Sequence, residues 1–200
     1  CIAVSREAKG LGVKANVPAR DARLLVPDMI FVVARPDIYV RLHKRILAVI
    51  ETVLPIQHVR SIDEVVCALL PSEGRECLAL ARQIKAVLRD EFSPVLTCSI
   101  GMAPTELLAK IAAERHKPNG TLVLDPATLP VALADLKLNK LPGVGEGMAK
   151  RLAAAGIHDF LALWALAPKQ ARAIWGNVEG ERVLQELHGT CRVYPSDAAD

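Results

Sequence analysis

The chain has 200 residues, 52% of them hydrophobic and 24% charged, with a formal net charge of +3. This composition excludes a disordered polyelectrolyte, and the apolar runs are too short to span a bilayer, so no membrane partner is expected. The length suits one or two domains with a sizeable core, and the small positive excess permits nucleic-acid binding without arguing for it.

The five cysteines, Cys1, Cys67, Cys77, Cys98 and Cys191, are scattered and form no C-x-x-C pair. They read as reduced core thiols of a cytoplasmic protein, not as disulfides or zinc ligands. The chain opens on Cys1 and an apolar run, not on a signal peptide, and is expected to be cut from inside a larger protein. Residues 1–4 read as a strand, followed by a turn of small and polar residues containing Gly10 and Gly12. Pro18 opens a helix whose Ala22, Leu24, Leu25 and Val26 are expected to pack. Residues 29–33 read as a second strand. Arg6, Lys9 and Lys14 make this opening part basic, either as solvated side chains or as a small subdomain over an anionic ligand.

Pro36 and Asp37 start a helix with Val40, Ile46, Leu47, Ile50 and Val53 on one face, and Pro55 ends it. The next stretch, 59–70, is apolar and β-branched and reads as a strand or hairpin, with Val59, Ile62, Val65, Val66, Leu69 and Leu70 expected to be buried. It carries two adjacent carboxylates, Asp63 and Glu64. Paired acids in an apolar setting are costly unless a cation neutralises them, which points to a divalent metal and a polyanionic substrate. Neighbours on a regular strand point to opposite faces, so both acids serve one site only at a strand end, turn or bulge. The alternative is a hairpin turn with solvated acids at its tip.

Ser72 is the expected N-cap of the following helix, whose core stripe is Cys77, Ala81, Ile84 and Leu88. A strand over 94–100, ended by Gly101, leads into a helix over about 104–114 with Leu107, Leu108, Ile111 and Ala112 inward. Lys117-Pro-Asn-Gly120 forms a tight turn that would hold Lys117 well enough to clamp a phosphate, although such turns are common. A strand over 121–124 completes one sheet covered by helices. Asp125-Pro126 marks a boundary, beyond which four or five short helices follow, over about 129–136, 146–155, 158–166, 168–176 and 178–188, with Gly156, Gly176 and Gly189 at ends. The polar tail from Thr190 to Asp200 reads as a linker.

Leu141-Pro-Gly-Val-Gly145 places two glycines at a helix N-terminus. The free backbone N–H groups of Gly143 and Gly145 suit a phosphate oxygen, and Lys150 and Arg151 add charge one turn later. The run resembles the hairpin of helix–hairpin–helix proteins, which grip the DNA backbone without reading sequence; the alternative is a plain glycine turn. The five histidines show no metal spacing. Trp164 and Trp175 suit core packing, and Ser5, Ser61 and Ser99 lack a nucleophile's context.

Together these pieces resemble the Y-family DNA polymerases, the translesion enzymes of the DinB/UmuC type. Ser5-Arg-Glu-Ala-Lys-Gly-Leu-Gly-Val13 is similar to the family's fingers segment. Ser61-Ile-Asp-Glu64 is similar to its palm motif. The run from Ser99 to Ala113 is similar to its G-I-[AS]-x-N-K-x-x-A-K-x-A segment, followed by Lys117-Pro-Asn-Gly120, and Leu141 to Gly145 is similar to the thumb hairpin.

The resemblance implies an α+β fold: a partial palm, with a mixed sheet and helices, over 36–124; small fingers over 1–35; and an all-α helix–hairpin–helix thumb with a C-terminal linker over 125–200. It implies metal-dependent nucleotidyl transfer from a dNTP to a primer 3′-OH during damage bypass and DNA repair, with primer–template DNA as partner. Asp63 and Glu64 would be the catalytic, Mg2+-binding acids; Arg6, Lys9 and Lys117 would bind the nucleotide; and Gly143, Gly145, Lys150 and Arg151 would bind DNA.

The departures are equally specific. Arg6 and Lys9 stand where the family has tyrosine and arginine, and Val65-Val-Cys67 stands where A-[YF]-L is common. By the resemblance, the family's first metal-binding aspartate and its aromatic gate are expected on an N-terminal strand outside these residues, and the little-finger domain, with any tail that contacts a sliding clamp, is likewise expected outside them. These residues alone are therefore not expected to extend a primer. Competing expectations are a catalytically inactive DNA-binding relative and a helix–hairpin–helix repair protein of another kind.

Overall fold

The structure, a computed structural model, describes residues 1–70 and 73–190. The chain divides into two units, Cys1–Arg45 and Ile46–Asp200.

In the first unit, Ser5 accepts a hydrogen bond from the Ala8 N–H at 3.2 Å and so starts a short helix, α1 (Arg6–Gly10), where a turn was expected. Gly12, at φ 91°, turns the chain back so that the Val13 N–H reaches the Ala8 carbonyl at 3.0 Å. Helix α2 (Ala19–Leu25) follows Pro18 and buries Ala22 alone. Leu24 and Leu25, expected to pack, are exposed. The strands expected over 1–4 and 29–33 do not form. A β-branched run becomes a strand only where a neighbour takes its backbone groups in succession; at the start of the chain only Cys1 bonds across, to Asn16 and Val17, and no strand ladder forms at 29–33. Ile30, Val32 and Val33 are accordingly exposed. Arg23 lies 4.8 Å from the Phe31 ring centroid, a cation–π contact.

Helix α3 (Pro36–Glu51) runs through the division between the units. Of its expected apolar face, Ile50 is buried and Ile46 and Val53 pack beside it, whereas Val40 is exposed. Strands β1 (Ile56–Val59) and β2 (Val65–Cys67) form an antiparallel hairpin with a register irregularity between Ile56 and His58. Val59 and Ile62, read as buried, are exposed, because the hairpin's outer end leaves the core; Leu70, also read as buried, is exposed beyond the other end of β2.

A 3-10 turn over Glu73–Glu76 leads into α4 (Cys77–Glu91). The expected cap, Ser72, lies outside the described residues, as do Cys191 and the tail beyond Thr190. Cys77, Ala81, Ile84 and Leu88 are all buried, as their helical spacing predicts. Ile84 and Leu88 form one core with Ile50, against which Ile56, Val65, Cys67, Cys98 and Ile100 pack.

Strand β3 (Ile100–Met102) pairs in parallel with β4 (Thr121–Val123), and α5 (Glu106–Arg115), capped by Thr105, is the crossover between them. The expected strand over 94–100 contributes only Ile100 to this ladder, and Gly101 sits inside the strand instead of ending it. A Cβ at Gly101 would lie 1.9 Å from the Ala109 carbonyl oxygen, so glycine is what lets α5 lie directly on β3. The single expected sheet is two separate two-stranded sheets.

No α-helix forms over 129–136. Short 3-10 turns form instead at Pro126–Thr128 and Val131–Leu133, with a third at Leu138–Lys140, and the prolines stand at the starts of the first two. Helices α6 (Glu146–Ala154), α7 (Phe160–Trp164), α8 (Pro168–Trp175) and α9 (Glu179–Leu187) follow. Gly156, Gly176 and Gly189 adopt φ of 79°, 79° and 77°, the left-handed turn that follows a helix end. One core joins Leu108, Ile111, Ala112 and Leu124 to Leu133, Leu152, Phe160, Leu163, Trp175 and Leu187, so burial continues across the Asp125 position without a break. No described helix is long and apolar enough to cross a membrane.

Candidate functional site

The acids lie on the turn between β1 and β2. The N–H groups of Arg60 and Ser61 both donate to the Glu64 carbonyl, at 2.9 and 3.2 Å, and close a tight loop. The Ser61 hydroxyl donates to Asp63 Oδ1 at 2.6 Å. Asp63 is exposed and Glu64 half-buried, so the pair sits at a hairpin tip and not inside the apolar sheet.

Two ion pairs tie this turn to α5. Arg60 donates through Nε and a terminal nitrogen to both oxygens of Glu106, each at 2.6 Å. Lys110 donates to both oxygens of Glu64, at 2.8 and 2.6 Å. The pattern is reciprocal: a cation and an anion four residues apart on the turn meet an anion and a cation four residues apart on the helix. Arg60 is not singled out by the sequence, and Glu106 stands inside the Ser99–Ala113 run without an assigned role; the matched spacing is the one signal that would have found the pair. Burial pushes the carboxyl of Glu186 above its usual range; Glu106 and Glu179 add to this, against Arg182 and Arg60.

The Lys117 turn follows α5. Asn119 has φ 57°, and a Cβ at Gly120 would sit 1.9 Å from the His116 carbonyl oxygen, so this turn requires glycine there. The Lys117 ammonium pairs with Glu114 one helical turn back. Lys85 of α4, absent from the motif reading, donates to the carbonyls of Asn119 and Gly120 at 2.6 and 2.8 Å.

Leu141 and Val144 are buried and anchor the glycine loop, while Gly143 (φ 82°) and Gly145 are exposed, with nothing within 4 Å of a Cβ at either. Gly145 is the N-cap of α6, and Lys150 is exposed on that helix. Arg151 donates to the Trp175 carbonyl at 3.2 Å, so part of its hydrogen-bonding capacity joins α6 to α8. In the first unit, Arg6 and Lys9 are exposed on α1.

Among the described residues, no three His, Cys, Asp or Glu side chains converge as a metal cage. Asp63 and Glu64 supply hard oxygen donors on a solvent-facing turn. That set fits a hydrated divalent ion held by one or two carboxylates together with substrate phosphates, the usual manner for Mg2+.

The sequence model of the impB/mucB/samB family matches residues 1–114. The chain belongs to this family. Its relatives are Y-family, DinB-like polymerases. The DNA polymerase IV of Moorella thermoacetica is 39% identical over 163 residues, covering 78% of this chain and 40% of that protein. The DNA polymerase IV of Stenotrophomonas maltophilia is 38% identical over 170 residues, covering 82% of this chain and 46% of that protein. The solved insertion ternary complex of Dbh DNA polymerase superposes with a TM-score of 0.80 at 31% identity, over 92% of this chain and 54% of that one. The chain thus spans less than half the length of these two curated relatives, and within that span the α+β architecture is shared with the family's solved structures.

Proposed function

We propose that the chain forms part of a template-directed translesion DNA polymerase, which joins a nucleotide to a primer 3′-oxygen with release of pyrophosphate. The observation that carries this reading is the hairpin turn presenting Asp63 and Glu64, pinned to α5, within a chain of which about four-fifths is similar to DNA polymerases IV. In this reading residues 36–124 are the palm, 1–35 the fingers and 125–200 the thumb, with the glycine loop and α6 as the second half of a helix–hairpin–helix. The palm sheet is completed by a further strand; the two short sheets share the core of Ile50, Ile84 and Leu88 and leave strand edges unpaired, which supports it.

The roles follow from charge and placement. Asp63 and Glu64 would hold a divalent ion such as Mg2+, which when bound supplies charge neutralisation and activation of the attacking oxygen. Lys117 offers an ammonium to the triphosphate from a turn that fixes its backbone. Within the first unit, Arg6 and Lys9 keep positive charge where the family has tyrosine and arginine, and are proposed as nucleotide-binding residues. The N–H groups of Gly143 and Gly145, with Lys150 and the remaining donors of Arg151, would meet DNA backbone phosphates and give binding without sequence preference.

Primer extension by the full-length protein, with Asp63→Ala and Glu64→Ala combined, tests the reading. Loss of extension with DNA binding retained is the expected result. A wild-type protein that binds primer–template but extends nothing would replace it with the reading of an inactive DNA-binding relative.

A further inference from the structure

We propose that Lys85 is a positioning residue, the support that sets Lys117 for the incoming nucleotide. The inference rests on the reading of Lys117 as a triphosphate ligand, and assigns a function to a residue on a different element, 32 positions earlier in the numbering.

Helix α4 buries Ile84 and Leu88, and Lys85 lies at the rim of that stripe, half-buried. Its aliphatic stem runs along the rim, and its ammonium emerges beneath the Lys117 turn. There it donates to two successive carbonyls, those of Asn119 and Gly120, at 2.6 and 2.8 Å. The Gly120 carbonyl also accepts from the Ile100 N–H at 3.0 Å, so Lys85 holds the point where the turn enters the β3–β4 ladder. Charge-assisted bonds of this kind are about twice as strong as neutral ones.

Apart from the Ile100 N–H of the β3–β4 ladder, the other constraints on the turn are local. Glu114 pairs with Lys117 from the preceding helix, and His116 leaves no space for a side chain at Gly120. Lys85 is the long-range side-chain tether among these contacts. Without Lys85 the Asn119 carbonyl loses this side-chain donor and the Gly120 carbonyl keeps only the Ile100 N–H, so the backbone that carries Lys117 is held less firmly.

The test uses the full-length protein with primer–template and a templated dNTP. Lys85→Met is expected to weaken dNTP binding in single-turnover extension about tenfold, with primer–template affinity and the maximal extension rate unchanged. Lys85→Arg, whose fork also donates to two carbonyls, is expected within about twofold of wild type. Combined with Lys117→Ala, Lys85→Met is expected to add nothing, because it acts through Lys117. Should Lys85→Met fold poorly by thermal unfolding, Lys85→Gln carries the same comparison. An equal loss in the Lys117→Ala background, or a parallel loss of DNA affinity, overturns the proposal. A wild-type protein that performs no extension overturns the polymerase reading itself, a result distinct from extension that is indifferent to Lys85.

Discussion

The Lys110 ammonium lies 2.6 Å from a Glu64 carboxylate oxygen and bridges α5 to the hairpin turn. Both side chains are about two-fifths exposed, at 42% and 41%, so solvent screens the pair and its contribution to folding stays under about 1 kcal/mol. Its larger effect is local, since a cation on Glu64 competes with any divalent ion for the same oxygens.

Lys110→Met should therefore leave unfolding free energy within about 1 kcal/mol of wild type. It should lower, by about fivefold, the Mn2+ concentration that broadens the amide resonances of the β1–β2 turn, the equivalent of roughly 1 kcal/mol of relieved competition. An unchanged Mn2+ midpoint in a folded variant would show that Lys110 does not compete for Glu64.

A second prediction concerns pH. The side chain of Glu186 faces Arg182 and Glu179 on its own helix, Glu106 of α5 and Arg60 of the hairpin turn, and burial is the largest influence on it, raising its carboxyl in the folded state. A raised folded value means that the folded chain binds more protons than the unfolded one. Stability from this group is then present below the ordinary carboxylate range and falls as pH rises through the elevated value. Glu186→Gln removes that loss, and also removes a negative charge from the C-terminal turn of α9. Denaturant titrations should find the variant more stable than wild type at pH 7, with the gap narrowing as pH falls below the carboxylate range. A gap constant with pH would mean that Glu186 titrates alike in both states.

The parts legible in the sequence were those set by one element's own period or by one turn's chemistry. Cys77, Ala81, Ile84 and Leu88 are buried because helical spacing puts them on one face, and Gly156 and Gly176 follow helix ends because each needs a positive φ. The acid pair was legible as needing a strand end or turn to serve one site, and the structure places it at the hairpin tip, with Asp63 exposed and Glu64 half-buried against Lys110. What failed depended on a partner. Apolar β-branched residues at 29–33 become a strand only beside another strand, so their composition alone could not decide. That Leu124 and Leu133, on either side of Asp125, share one core was not visible in the composition, since burial across the chain leaves no periodic trace. Arg60 with Glu106, and Lys85 with the Lys117 turn, join residues far apart in the chain that no motif connects.

Two glycines with opposite surroundings give the third prediction. At Gly101 an added Cβ would meet the Ala109 carbonyl oxygen at 1.9 Å and the Ala113 nitrogen at 2.4 Å, both backbone atoms of α5 that cannot rotate away. Gly101→Ala must push the helix off β3, and should cost about 3 kcal/mol, the upper end of ordinary overpacking. Gly145 has φ −77°, open to any residue, and nothing lies within 4 Å of a Cβ there. Gly145→Ala should cost no more than about 1 kcal/mol, the loss expected when alanine replaces a favoured N-cap residue. If the Gly145 N–H meets a DNA phosphate at van der Waals range, the new methyl intrudes on that approach, and duplex binding should weaken about tenfold at fixed salt. Denaturant midpoints for both variants, with fluorescence-anisotropy binding for Gly145→Ala, separate the two roles. Unchanged DNA affinity in Gly145→Ala would return the loop to a plain turn between packed helices, whereas a normal midpoint in Gly101→Ala would mean that α5 can shift from β3 without loss.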